Sequence, residues 1–164
     1  MTTWFTSDLH FGHKNILKHC NRPFESVKQM DAVLITNWNA RVRPTDDIWC
    51  LGEFCWKSPE RYGARLKGRK HLIVGNHDGV SVQTWDGWTS VQHYAELKLD
   101  DRKLVLFHYP IAEWNGFYRD TIHLYGHVHG NRPFTGSSCD VGVDCWNFSP
   151  TSLTEILGVI GGKL

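Results

Sequence analysis

The sequence has no apolar run near the ~20 residues that a membrane-spanning helix needs. It has no secretory-type apolar segment near its start and almost no net charge. A formal charge of +1, from 18 basic and 17 acidic residues, provides no broad basic field of the kind that holds long nucleic acids. Membrane insertion and extended nucleic-acid binding are therefore not expected, while a local basic pocket for a small phosphate-bearing ligand is compatible with the balance. There is no cysteine framework either. Cys20, Cys50, Cys55, Cys139 and Cys145 are odd in number and repeat no zinc spacing. They read as reduced, mostly packed thiols of a cytoplasmic protein. Apolar residues at 41% and charged residues at 21% exclude disorder and fibrous classes. The 164 residues suit one domain, 1–164, with a sizeable core.

Within that domain, Thr2 to Thr6 reads as a short buried strand running into the polar turn Ser7-Asp8. A short helix is expected over His13 to Cys20. Ser26 and Gln29 form an S-x-x-Q box ahead of Val27, Met30, Leu34 and Trp38, which predicts a helix from about Val27 to Asn39. Asp47 to Leu51 and His71 to Val74 are further strands, each stopping at a glycine. Ser58-Pro59 marks another helix start. Val91 to His108 suggests a hairpin turning at Asp100-Asp101, and Thr121 to Tyr125, Val141 to Val143 and Leu153 to Ile160 read as strands. The tetrapeptide Asn-Arg-Pro-Phe occurs at 21–24 and 131–134 without similar flanks. Helices interleaved with strands early, and strands dominating late, predict an α/β sandwich with mixed sheets.

The chemistry-bearing residues collect where strands end. They are Asp8-Leu9-His10, Gly52-Glu53, Gly75-Asn76-His77-Asp78, His108 and Gly126-His127-Val128-His129. Loops at strand ends are where α/β proteins place ligands, because the rigid sheet fixes where each loop projects. In extended chain, residues two apart point to the same side. On that reading Asp8 and His10 can reach one ion together, and His127 and His129 can do likewise. Carboxylate, imidazole and amide oxygen together suit manganese, iron or zinc rather than calcium.

This ordered set resembles the calcineurin-like metallophosphoesterase superfamily, whose motifs run D-x-H, G-D, G-N-H-D, H and G-H-x-H. The stretches Phe5 to His13 and Leu124 to His129 look like its small single-domain bacterial and phage members. The resemblance implies a four-layer α/β/β/α sandwich of two mixed sheets with the site at one edge. It implies Asp8, His10 and His129 on one divalent metal, Asn76, His108 and His127 on a second, and Glu53 bridging them. Manganese is the first expectation, with iron, nickel and zinc open. His77 is implied to face the substrate, protonating the leaving oxygen or stabilising phosphate charge, with Asp78 orienting its ring. Two ions roughly 3.5–4 Å apart can clamp phosphate oxygens and make a hydroxide at neutral pH. The expected activity is hydrolysis of a small phosphate ester or nucleotide, a diester before a monoester. The bridging position normally carries aspartate, and here it is Glu53. A second reading is therefore a non-catalytic metal-binding scaffold, or an enzyme slowed by that substitution.

Around this set, His13, Asn15, Arg22 and Arg132 are candidate substrate contacts, the arginines because their planar fork matches phosphate oxygens. His19, His71, His93 and His123 are expected to pack or to sit at the surface. Tyr109, Trp114, Phe117 and Tyr118 crowd the loop after His108, where core or lid packing is favoured over a base-stacking platform.

Overall fold

The structure is a computed structural model that describes residues 1–132 and 136–161. Pro133 and Phe134 of the second Asn-Arg-Pro-Phe copy lie outside those residues. Two mixed sheets carry the fold. In the first, β1 (Thr3–Thr6), β2 (Asp47–Cys50), β3 (Arg69–Ile73) and β4 (Trp88–Gln92) run parallel, and the two-residue β9 (Thr151–Ser152) lies antiparallel to β1. Its order is β4-β3-β2-β1-β9. The second sheet, in the order β5-β6-β7-β8, joins the hairpin β5 (Tyr94–Leu99) and β6 (Arg102–Phe107) to parallel β7 (Ile122–Tyr125) and β8 (Ser138–Asp140).

Strand alternation decides which core each side chain enters. Ile48, Cys50, Leu72 and Val74 share one apolar cluster with Met30, Leu34, Ile35 and Trp38 of α2 (Val27–Arg41). Phe5, Trp49, Leu51 and Ile73 point the other way and meet Leu104, Leu106, Ile122, Leu124 and Cys139 of the second sheet. The small helices α1 (Ile16–His19), α3 (Pro59–Gly63) and α4 (Val80–Gln83) lend Ile16, Tyr62 and Val82 to the α2 side. Over Val105 and His123 of the second sheet the chain places the irregular segment 109–121, where His123 packs beside Trp114. Two mixed sheets and a helical layer on the first are thus observed, while the outer face of the second sheet carries a loop at this place.

Ser26 caps α2 as anticipated, its Oγ accepting from Gln29 N–H at 3.2 Å, although the Gln29 side chain reaches the N–H of Glu25 rather than that of Ser26. Four expectations change. Leu153 to Ile160 is a helix, α5 (Leu153–Gly161). Ser152-Leu153-Thr154-Glu155 is a capping box, with Ser152 N–H donating to Glu155 at 2.9 Å and Ser152 Oγ accepting from Glu155 N–H at 3.4 Å. Leu153, Ile156, Leu157 and Ile160 then fall on one helical face against the inter-sheet core. Val141 to Val143 is not a strand, because the chain leaves β8 at Asp140 and turns so that Val143 N–H reaches the carbonyl of Ser7 at 3.0 Å. Val91 and Gln92 belong to the first sheet, and the hairpin begins only at Tyr94. Ser58 does not cap α3, since its backbone is left-handed at φ 55° and its side chain makes no capping bond. Among the described residues no helix is long and apolar enough to cross a membrane.

Helix α5 contacts β1, β8 and β9, and so closes the edge of the inter-sheet core. Ile156 is fully buried there. Ile156→Ala is expected to cost about 2–5 kcal/mol in urea-denaturation stability. A loss below ~1 kcal/mol, about one buried methylene, would mean that α5 is not part of the cooperative core.

Candidate metal centre

The loops after β1 and β2 continue the parallel ladder beyond the strands. Asp8 N–H donates to the Gly52 carbonyl at 3.0 Å, His10 N–H to that of Glu53 at 2.8 Å, and Phe11 N–H to that of Phe54 at 3.0 Å. The residues so held are not extended. Asp8, His10, Glu53, His127 and His129 have φ of 57°, 53°, 59°, 71° and 49°, so five of the seven expected ligands are left-handed. Such backbone costs of order 1–3 kcal/mol per residue and persists where surrounding structure imposes it, commonly at functional sites. It also corrects the extended-chain reading of the Asp8/His10 and His127/His129 pairs. Asp8 and His10 do converge, but His127 and His129 diverge into different groups.

Asp8, His10 and His129 form the first group, with donor atoms all within 4.8 Å of one another. The rings of His10 and His129 stack with centroids 5.4 Å apart, and His129 Nε2 lies 3.9 Å from Asp8 Oδ1. In the second group, Asn76 Oδ1 lies 2.9 Å from His108 Nε2 and 3.1 Å from His127 Nδ1. Glu53 stands between the groups. Its Oε2 is 3.1 Å from His10 Nε2 and its Oε1 is 3.8 Å from His108 Nε2. Gly126 permits the closure, because a Cβ there would meet Ser7 Oγ at 2.0 Å and Asp8 Oδ2 at 2.4 Å. The next residue, His127, donates its backbone N–H to Asp8 Oδ2 at 3.0 Å.

Two observations test whether the set suits a cation. His10 Nε2 is buried without a hydrogen-bond partner, an orphan shared among the described residues only by Thr6 Oγ1. Buried polar atoms are normally satisfied, and this one stands 3.1 Å from Glu53 Oε2 in a geometry that makes no hydrogen bond. Second, the Leu51 carbonyl lies 2.7 Å from His108 Nδ1 and takes its N–H. Burial pushes the His108 pKa down to about 4, so its Nε2 is a bare lone pair facing the Asn76 amide oxygen. A shared cation relieves that apposition. The residues therefore fit a divalent metal. Burial also raises both carboxyls, Asp8 and Glu53, to about 7, and lowers His10 to about 2. At His129, burial works downward, but the hydrogen bond to Asp144 and the nearby Asp8 charge carry it up to about 10.

The neighbouring expectations divide. Arg22 does not face the site. It is 4% exposed, forks onto Asp144 at 2.9 and 2.8 Å, and donates to the carbonyls of Asp8 and Leu9 at 2.6 and 3.0 Å. Its fifth N–H points to Met30 Sδ at 3.4 Å, so none is left for phosphate. Asp78 spends its carboxylate on backbone. Oδ2 accepts from Glu53 and Gly75 at 2.9 and 2.8 Å, and Oδ1 from Phe54 at 2.9 Å, which ties the second loop to the third. His77 is exposed at the rim, with its backbone N–H on Glu53 Oε1 at 2.9 Å. His13 reaches within 3.2 Å of His10 Nδ1, whereas Asn15 and Arg132 are exposed on their loops. His71 pairs with Asp47 at 3.0 Å and His123 is buried, both away from the donors. Asp144 was not legible in the sequence. Its Oδ2 accepts from His129 Nδ1 at 2.7 Å, turning His129 Nε2 toward Asp8, but nothing near Val143-Asp144 marks it.

No family model matches the chain. Among solved structures, an archaeal phosphodiesterase shares the fold with a TM-score of 0.52 at 18% identity, over 87% of this chain and 82% of its own. A protein of unknown function from Aquifex aeolicus superposes with a TM-score of 0.79 at 24% identity, over 97% of this chain and 99% of its own. The fold is thus one shared with that archaeal phosphodiesterase. An uncharacterized protein of Methanocaldococcus jannaschii is 32% identical over 169 residues, spanning 96% of this chain and 90% of its own, and the chain belongs to the same family as that protein.

Removing Arg22 takes the guanidinium from the largely buried Asp144 carboxylate, leaving it only His129, and takes the side-chain donor from the Asp8 and Leu9 carbonyls. Arg22→Ala is expected to lower stability by about 3–5 kcal/mol, measured by denaturant unfolding. A variant that keeps its stability and loses only ligand affinity would return Arg22 to the substrate side.

Proposed function

We propose that the chain is a binuclear metal-dependent phosphoesterase acting on a small phosphodiester. The reading rests above all on the placement of Glu53 between two nitrogen-bearing groups, with the orphaned His10 Nε2 pointing at it. Asp8, His10 and His129 would hold one divalent cation, Asn76, His108 and His127 the other, and Glu53 both. When bound, such a pair of ions supplies positive charge to the phosphate oxygens and acidifies water between them. Manganese is the proposed ion, with iron, nickel and zinc compatible with the same donors.

The chain's own residues carry the remaining work. Asp144, itself held by Arg22, accepts from His129 Nδ1 and so aims Nε2 at Asp8, where a metal would take the place of the Nε2 proton. The Leu51 carbonyl does the same for His108. Asp78 locks the loop that bears His77, and His77, exposed on that loop, would give a proton to the departing oxygen, a contribution of typically ~10²–10⁴-fold. His13 lines the mouth beside His10. Asn15 and Arg132 are proposed as outer contacts only. Glu53 takes the place that aspartate usually holds, and its extra methylene shifts the carboxylate relative to both groups. Displacements of ~0.5 Å are enough to slow such constellations.

Chelator-stripped protein is expected to be inactive on bis-p-nitrophenyl phosphate and to recover with Mn²⁺. Folded protein that binds two Mn²⁺ and stays inactive would instead support a metal-binding scaffold. Glu53→Asp is expected to turn over faster than the parent at saturating metal, and equal or lower rates would show that the longer side chain is not a handicap.

The raised carboxyl pKa values give a pH dependence of definite sign. Folded, metal-free protein keeps protons on Asp8 and Glu53 that the unfolded chain releases at its ordinary values near 4. Metal-free stability therefore falls as pH rises from about 4 through about 7. Metal must displace those protons, so Mn²⁺ affinity should climb over the same window and proton release on binding should shrink from pH 6 to pH 8. Titration calorimetry in buffers of different ionisation enthalpy measures this. Release that does not change with pH would mean that neither carboxyl is protonated before metal arrives.

A further inference from the structure

Of the eight tryptophans, Trp56 alone is exposed, at 51%. Large aromatic surface left in water forgoes the burial that drives folding, so its position needs a reason other than packing. The residue is nevertheless rigidly placed. Trp56 N–H donates to the Phe11 carbonyl at 2.9 Å, next to the Phe11–Cys55 bridge, and thus extends the same pair of loops that carries His10 and Glu53. The His13 imidazole lies against the indole, with centroids 4.6 Å apart and planes 19° from parallel. His13 in turn is 5.3 Å from the His10 ring, and the His77 ring is 6.5 Å from the indole. Trp56 is therefore a flat, braced surface at the mouth, one ring away from a first-group donor and beside the residue proposed to protonate the leaving oxygen.

The second donor group has a counterpart. Tyr109 is 37% exposed and packs edge-on against His108 and His127, at 4.9 and 4.7 Å. Each donor group thus has an accessible aromatic ring next to it. Planar bases stack on such rings whatever their sequence identity, whereas an aliphatic alcohol gains little from them. A phosphodiester has two arms, and two rings flanking the phosphate position match that count.

We propose that Trp56 is the stacking platform for a planar base on the substrate, and that the substrate class is a nucleobase-bearing phosphodiester. The proposal rests on the phosphoesterase reading for its placement of the phosphate, but base stacking can be measured without turnover.

The test compares two diesters with the same leaving group in Mn²⁺-loaded protein: thymidine 5′-(p-nitrophenyl phosphate) and methyl p-nitrophenyl phosphate. The parent is expected to favour the nucleoside ester. Trp56→Ala should reduce that preference, as the ratio of kcat/KM values, by roughly ten- to a hundredfold, chiefly through KM, and Trp56→Phe should restore most of it. An unchanged ratio in Trp56→Ala overturns the proposal, as does a preference that Trp56→Phe fails to restore. Calorimetric titration with thymidine 5′-monophosphate gives the second measurement. Affinity that falls in Trp56→Ala while neither ester is hydrolysed would leave the platform standing and refute the phosphoesterase reading. Affinity indifferent to Trp56 would refute the platform alone.

Discussion

The backbone bond from His10 N–H to the Glu53 carbonyl, 2.8 Å long, joins two loops that could otherwise leave their strands independently. With its neighbours at Asp8 and Phe11 it prolongs the β1–β2 ladder past the end of the sheet, through residues whose backbone is left-handed. A ladder normally needs extended chain, so this continuation is a compromise. The peptide groups stay paired while the side chains are swung inward. The donor atoms of Asp8, His10 and Glu53 converge because their carbonyls and amides are already fixed to each other. Asp78 adds the third loop by accepting three N–H groups, two of them from the Glu53 loop.

Below this surface the support is polar and buried. Arg22 and Asp144, 122 residues apart in the chain, pair at 2.8 Å and share their remaining atoms between the Asp8–Leu9 carbonyls and the ring of His129. A buried pair of this kind adds little stability over an apolar replacement, but breaking it is expensive. Its value here is directional, since it fixes which nitrogen of His129 faces Asp8. The apolar cores on either side of the first sheet hold the scaffold together, and this pair holds the aim.

What was readable in the sequence follows from the range of each interaction. The residues ending β1, β2, β3, β6 and β7 could be picked out because strand, glycine and polar donor succeed each other within a few positions. Helix α2 was readable from its cap and its Met30, Leu34 and Trp38 spacing. Leu153 to Ile160 reads as a strand because it is short and five of its eight residues are large and apolar, and so short a run shows too little of its period to separate strand from helix. The Ser152–Glu155 box was the local signal that could have corrected it. The left-handed backbone of Asp8 and His10 had no such signal. Both are ordinary side chains, and their conformation is imposed from Gly52 and Glu53, more than 40 residues away. Arg22 and Asp144 were unreadable for the same reason, since their roles exist only once β1 and the chain beyond β8 are side by side.

That distribution of parts along the chain sets the order in which the protein can mature. The candidate donors run from Asp8 to His129, and the carboxylate that orients the last of them, Asp144, comes fifteen residues later still. Contacts spanning so much chain form late, after the loop-closure entropy of the whole domain has been overcome. A nascent chain emerging from the ribosome carries Asp8 and His10 long before it carries His129 or Asp144. On the proposed reading, those early residues alone would offer an ion only two of its donors. Tight metal capture would then wait for the residues around His129 and Asp144 to be made and packed, and a chain interrupted before them would lack that clamp.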